Sequence, residues 1–123
     1  MGARRVLAPR RWTDDRGMVT AEFALALPVV VLVLAVALGA MGLVVDEVRC
    51  IDGARTGARA LARGDSTDAA RALTARVAPD GARIDVSITS SEAVVVVEAP
   101  RRRSPLPGLP VPRAEAIAPL EGA

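Results

Sequence analysis

Glu22 is followed directly by a run, Phe23 to Val45, that carries no charge. A carboxylate at the mouth of an apolar helix is costly unless something offsets it, which makes Glu22 a candidate for charge pairing with a cation. The plainer reading is an interfacial acid reaching out to lipid headgroups. Cys50 is the single cysteine, so an internal disulfide is excluded. Two readings stay open for it: a bridge between copies just outside a membrane, or a small residue packed in a helix interface. Val48-Arg49 stand before Cys50 where a lipoprotein signal needs small residues. The triplet Arg101-Arg102-Arg103 suits an anionic polymer or partner, and equally a solvated loop. The chain has no histidine, which removes His-based triads and His metal clusters and leaves Cys50 without an imidazole partner. No Gly-rich phosphate loop follows a strand, and no carboxylate pair is framed by a pocket. With 2% aromatic residues, base-stacking surfaces are not expected. The residues thus predict a protein that is not an enzyme and takes no cofactor, no metal and no nucleic acid.

These residues must be positioned by a helix. At about 1.5 Å rise per residue the charge-free run spans roughly 34 Å, enough for a hydrocarbon core of about 30 Å. Four blocks follow: residues 1–17, a basic, Pro-containing leader without apolar periodicity, expected to be disordered; 18–45, a membrane-spanning helix; 46–64, its extracytoplasmic extension; and 65–123, a small extracytoplasmic domain. Gly64 is the expected C-cap of the extension. Arg4, Arg5, Arg10, Arg11 and Arg16 crowd the leader, against Arg49, Arg55, Arg59 and Arg63 after the span. The bias favours a cytoplasmic N-terminus. Every basic residue is arginine, a bias that fits a GC-rich bacterial genome and is an association rather than physics.

Within the span, Pro28 removes a backbone hydrogen bond and predicts a kink, although prolines are also simply tolerated in membrane helices. Pro28, Ala35, Gly39 and Gly42 fall in one narrow arc at about 100° per residue, and Ala35-x-x-x-Gly39 has the small-x-x-x-small form. This arc is the candidate helix-packing face. Gly53-x-x-x-Gly57 repeats the style outside the membrane, beside a stripe of Arg55, Arg59 and Arg63 read as a solvated face.

The outer domain reads as α+β. Ser66 or Thr67 caps a helix through about Val77, with Ala69, Ala70, Leu73 and Val77 along one side. Pro79-Asp80-Gly81 is a turn. Ile84, Val86 and Ile88 alternate with Asp85, Ser87 and Thr89, the period of a half-buried strand. Ser90-Ser91 reverses the chain, and Val94 to Val97 is a second, more buried strand. Pro105 to Pro112 cannot lie in a central strand; Arg113 to Ala118 is a candidate third. An antiparallel hairpin or three-stranded sheet with one helix is therefore expected, with a thin core that gains from packing on the long helix or on neighbouring subunits.

The run Arg16-Gly17-Met18-Val19-Thr20-Ala21-Glu22-Phe23-Ala24-Leu25-Ala26-Leu27-Pro28 resembles the N-terminus of TadE-like minor pilins of tight-adherence (Tad/Flp) pilus systems, which are related to type IV pili. The likeness is close over residues 16–45 and looser through Asp52-Gly53-Ala54-Arg55-Thr56-Gly57-Ala58-Arg59-Ala60. It implies cleavage between Gly17 and Met18 by a membrane-embedded prepilin peptidase, with Glu22 becoming the fifth residue and Phe23 following it. It also implies a minor pilin or pseudopilin anchored in the bilayer, whose partners are that peptidase, other pilin subunits and the assembly platform. Glu22 would then offset the new α-ammonium of Met18, on its own chain or a neighbour's, a pairing that strengthens as water is removed.

Two other readings compete. An ordinary secretory signal with Phe23 to Leu34 as its apolar region, cut at Ala35-Val36-Ala37 or near Ala40, would release a small soluble binding domain. An uncut span would leave a single-pass accessory protein. Glu22 at the apolar start, and a span longer than a signal needs, both argue against a plain signal peptide.

Overall fold

A computed structural model describes residues 2, 15–103 and 107–120. The elements are α1 (Asp15–Ala62), α2 (Thr67–Val77), β1 (Arg83–Ile88), β2 (Glu92–Glu98) and β3 (Arg113–Pro119), in that order. The fold is α+β: a long apolar helix, a small helix and a three-stranded antiparallel sheet of order β1-β2-β3. Most of the leader lies outside the described residues, but Asp15, Arg16 and Gly17 are already helical, so α1 starts three residues earlier than the end of the leader suggested. Asp15 in the first turn complements the positive end of the helix dipole.

The chain divides into two compact units, residues 1–34 and 35–123. The first is the early part of α1. Its apolar side chains face outward throughout: Phe23 is 73% exposed and Leu25 79%. Helical pairing continues through Pro28 without a break in the element. Among the described residues one helix, α1, is long and apolar enough to cross a membrane, and its most apolar stretch has no residue buried against protein. Such a surface is stable in lipid or against other apolar helices.

In the second unit the later part of α1 turns small residues inward. Cys50, Gly53, Ala54, Gly57, Ala58 and Leu61 are buried, spaced three and four apart as one helical face requires. α1 ends in a Schellman motif: the Gly64 amide reaches Leu61 O at 3.0 Å and the Asp65 amide reaches Ala60 O at 3.1 Å. Gly64, at φ +91, supplies the left-handed residue this closure needs. Ser66 then caps α2, its side chain accepting from the Ala69 amide at 3.2 Å.

Gly81, at φ +77, closes the turn in which the Ala82 amide donates to Pro79 O at 3.0 Å. β1 and β2 pair as Ile84↔Val97, Val86↔Val95 and Ile88↔Ala93. On the other side β2 pairs with β3 as Val97↔Ala114, Val95↔Ala116 and Ala93↔Ala118. One face of the sheet is therefore all apolar, and Val95 and Val97 at its centre are fully buried. The core they share with α1 and α2 is built almost wholly from alanine and valine.

Candidate functional site

The N-terminal candidates sit on the first three turns of α1. Gly17 and Met18 are exposed, and Thr20 Oγ1 donates to Arg16 O at 2.9 Å, a local bond spanning the turn that contains the Gly17–Met18 peptide. Glu22 and Phe23 are exposed and share one open face with Val19 and Ala26, the spacing of neighbours on a helix surface. Among the described residues, no cation lies within ion-pair distance of the Glu22 carboxylate. Met18 stands four residues before Glu22, about 6 Å of axial rise, so an ammonium at Met18 falls on the same side of the helix. The geometry suits charge pairing at this end of the helix.

Of the candidate packing residues, Pro28 is exposed on the first unit. In the second unit Ala35 and Gly39 are exposed and Gly42 is half-buried. A methyl group added at Gly39 or Gly42 meets nothing within 4 Å, so this face of the helix is open to a neighbour. Gly53 and Gly57 differ. A Cβ at Gly57 would stand 2.3 Å from Thr74 Oγ1 and 3.2 Å from Val95 Cγ1, and one at Gly53 3.4 Å from Ala78 Cβ. Those two glycines serve close packing inside this chain. Arg55, Arg59 and Arg63 lie on the solvated side, with Arg63 3.4 Å from Asp65.

The sequence did not reveal the role of Asp46. It is the first charge after the apolar run, is 2% exposed, and is gripped by the middle arginine of the triplet. Arg102 Nε donates to Asp46 Oδ2 at 2.5 Å and Nη2 to Oδ1 at 3.0 Å, a two-pronged charge-assisted pair. Donating to the Asp46 carboxylate holds the Arg102 guanidinium even more firmly protonated than usual. Arg101 and Arg103 remain exposed. The partners stand 56 positions apart, and the only hint in the sequence was an acid bounding a membrane-length apolar run.

One turn further along α1, Cys50 is fully buried and its Sγ lies 3.7 Å from Pro112 O. Burial pushes the thiol pKa up, Glu47 adds to this, and a hydrogen bond from the Ala99 backbone partly opposes it. The packed-residue reading of Cys50 is the one seen. The Ala99 amide also donates to Pro112 O at 2.9 Å. The segment joining β2 to β3 is thus tied to α1 at both ends, through Arg102 and through Pro112.

Comparison with known proteins adds one relation. No family model matches the chain, and no solved structure matches it. The chain is 48% identical over 60 residues to a protein of Mycobacterium tuberculosis named apoptosis inhibitor Rv3655c, covering 46% of this chain and 48% of that protein. It therefore spans about half the length of the curated relative it matches.

Proposed function

We propose that the chain is a TadE-like minor pilin or pseudopilin, inserted with its N-terminus in the cytoplasm and its α+β domain outside, and made ready for assembly by cleavage after Gly17. The observation that carries this reading is Glu22. It is the sole charge from Met18 to Val45, exposed on a helix whose apolar side chains are themselves uncovered. Hydrolysis of the Gly17–Met18 peptide adds water across the C–N bond, leaving a carboxylate on Gly17 and an α-ammonium on Met18. That ammonium and Glu22 then form a matched pair at the end of a lipid-facing helix. Pairing between copies releases the cost of holding each charge alone in a low-dielectric surrounding.

The deciding experiment is the intact mass of the protein taken from its native membrane. A chain beginning at Met18 supports the reading. A start near Leu38 or Met41 points instead to a released soluble domain, and an uncut chain to an anchored accessory protein. The role of Glu22 has its own readout: Glu22→Gln is expected to be cleaved normally yet to enter the assembled fibre poorly. Normal incorporation of that variant would sink the charge-pairing step.

A further inference from the structure

The segment between β2 and β3 borders an open groove of about 380 Å³. Leu38, Gly39, Gly42 and Leu43 of α1 form one wall, and Arg101–Arg103 with residues 107–112 form the other. An adjoining hollow is lined by Leu43, Val44, Glu47 and Val48 against Pro110, Val111 and Pro112. The level of this groove is unusual. Leu38 precedes Val45 by seven residues, about 10 Å of helix inside the charge-free run. A bilayer that covers the run therefore meets the groove at the headgroups and the upper acyl chains.

We propose that this segment docks on the bilayer, with Leu109 entering its apolar edge and Arg101 and Arg103 holding an anionic phospholipid headgroup. Three observations converge on that occupant. First, Leu109 is exposed and Val111 half-buried, while Pro107, Pro110 and Pro112 have no backbone N–H to be stripped of water on entry. Second, Asp46 satisfies Arg102 alone; among the described residues Arg101 and Arg103 have no carboxylate within ion-pair distance. The guanidinium fork matches phosphate oxygens; the acids near this region are Glu47, which lines the adjoining hollow, and Asp80, which acts on Arg102 beside Asp46. Third, the segment is anchored just beyond the run at Asp46 and Cys50, and Leu109 lines the groove together with Leu38 and Leu43 of the run itself. Near an anionic surface each free arginine is worth about fivefold in occupancy.

The inference needs the span to sit in a bilayer but not a pilus, and a start at Met18 or an uncut chain leaves the groove whole. The test uses the full chain reconstituted in vesicles of phosphatidylcholine, with or without phosphatidylglycerol. An environment-sensitive fluorophore is placed at Leu109→Cys with Cys50 kept, since that thiol is fully buried and slow to label, and a separate Leu25→Cys chain reports the span itself. Expected are a blue-shifted Leu109 signal and quenching by lipids brominated near the headgroup, both stronger with phosphatidylglycerol. Arg101→Gln with Arg103→Gln should return the signal to its level in neutral vesicles. A water-like signal at Leu109 beside a quenched Leu25 probe overturns the proposal, as does equal quenching in both lipids. A blue shift that is shielded from brominated lipid and grows with the protein-to-lipid ratio overturns it too, in favour of a second copy seated in the groove.

Discussion

Asp46 and Cys50 are one turn apart on α1, both buried, and both engage the same distant segment through Arg102 and Pro112. The Cys50 thiol has its pKa raised by burial, so the folded state holds a proton that the unfolded chain releases sooner. The sign follows from linkage: this contribution to stability is full below the unfolded thiol pKa of about 8.5 and is lost as pH climbs above it. Urea midpoints measured on the full chain in detergent should therefore fall from pH 7 to pH 10, and Cys50→Ala should remove that part of the fall. Alkylation of Cys50 at pH 8 should be at least about tenfold slower than in the urea-unfolded chain. For Asp46 the decisive quantity is solvation. A buried polar group stripped of its partner costs about 1–3 kcal/mol, and more when charged. Arg102→Gln should thus lower the urea midpoint, while Arg101→Gln and Arg103→Gln, which strand nothing, should leave it within error.

At the scale of elements, α1 approaches α2 and β2 as closely as it does because Gly57 lacks a side chain. Its missing methyl would fall 2.3 Å from Thr74 Oγ1, and that hydroxyl is buried and donates to Ala70 O at 2.9 Å. Gly57→Ala gains about 1 kcal/mol of helix propensity but incurs about 1–3 kcal/mol of overpacking, so a net loss of stability is expected. Gly53→Ala, with its nearest contact at 3.4 Å, should be nearly neutral or stabilising. Adding Thr74→Ala should recover much of the loss in Gly57→Ala, a coupling that a double-mutant cycle on urea midpoints reads directly. The elements themselves were legible. The charge-free run, the Ser66 cap, the Gly64 stop and the alternation of Ile84, Val86 and Ile88 are local signals, and each appears where local physics puts it. Arg113 to Ala118 does return as a strand, extended to Pro119. The destinations of side chains were not legible. Gly53 and Gly57 looked like a contact face for other helices, and Arg102 looked like one of three solvated arginines, because both assignments depend on partners brought close only by the tertiary fold.

For the molecule as a whole, the two units draw on different sources of stability. Residues 15–34 expose apolar side chains on every side, so in lipid their favourable solvent is the bilayer. The second unit relies on a small core in which Val95, Val97, Thr74 and Cys50 are the largest fully buried side chains. Each methylene-sized loss from such a core is worth about 0.8 kcal/mol before any cavity cost. Val95→Ala, at the centre of the middle strand, should therefore cost about 2–3 kcal/mol, a large share of what so small a domain possesses. The consequence is selective. In reconstituted vesicles Val95→Ala should make residues 65–120 sensitive to added protease while the chain still resists alkaline extraction from the bilayer. Release of Val95→Ala from the membrane under alkali would mean that retention depends on the folded domain rather than on the apolar helix. Retention with a protease-sensitive α+β domain would show that anchoring and folding are separable, as expected if the helix is held by lipid before it is held by partners.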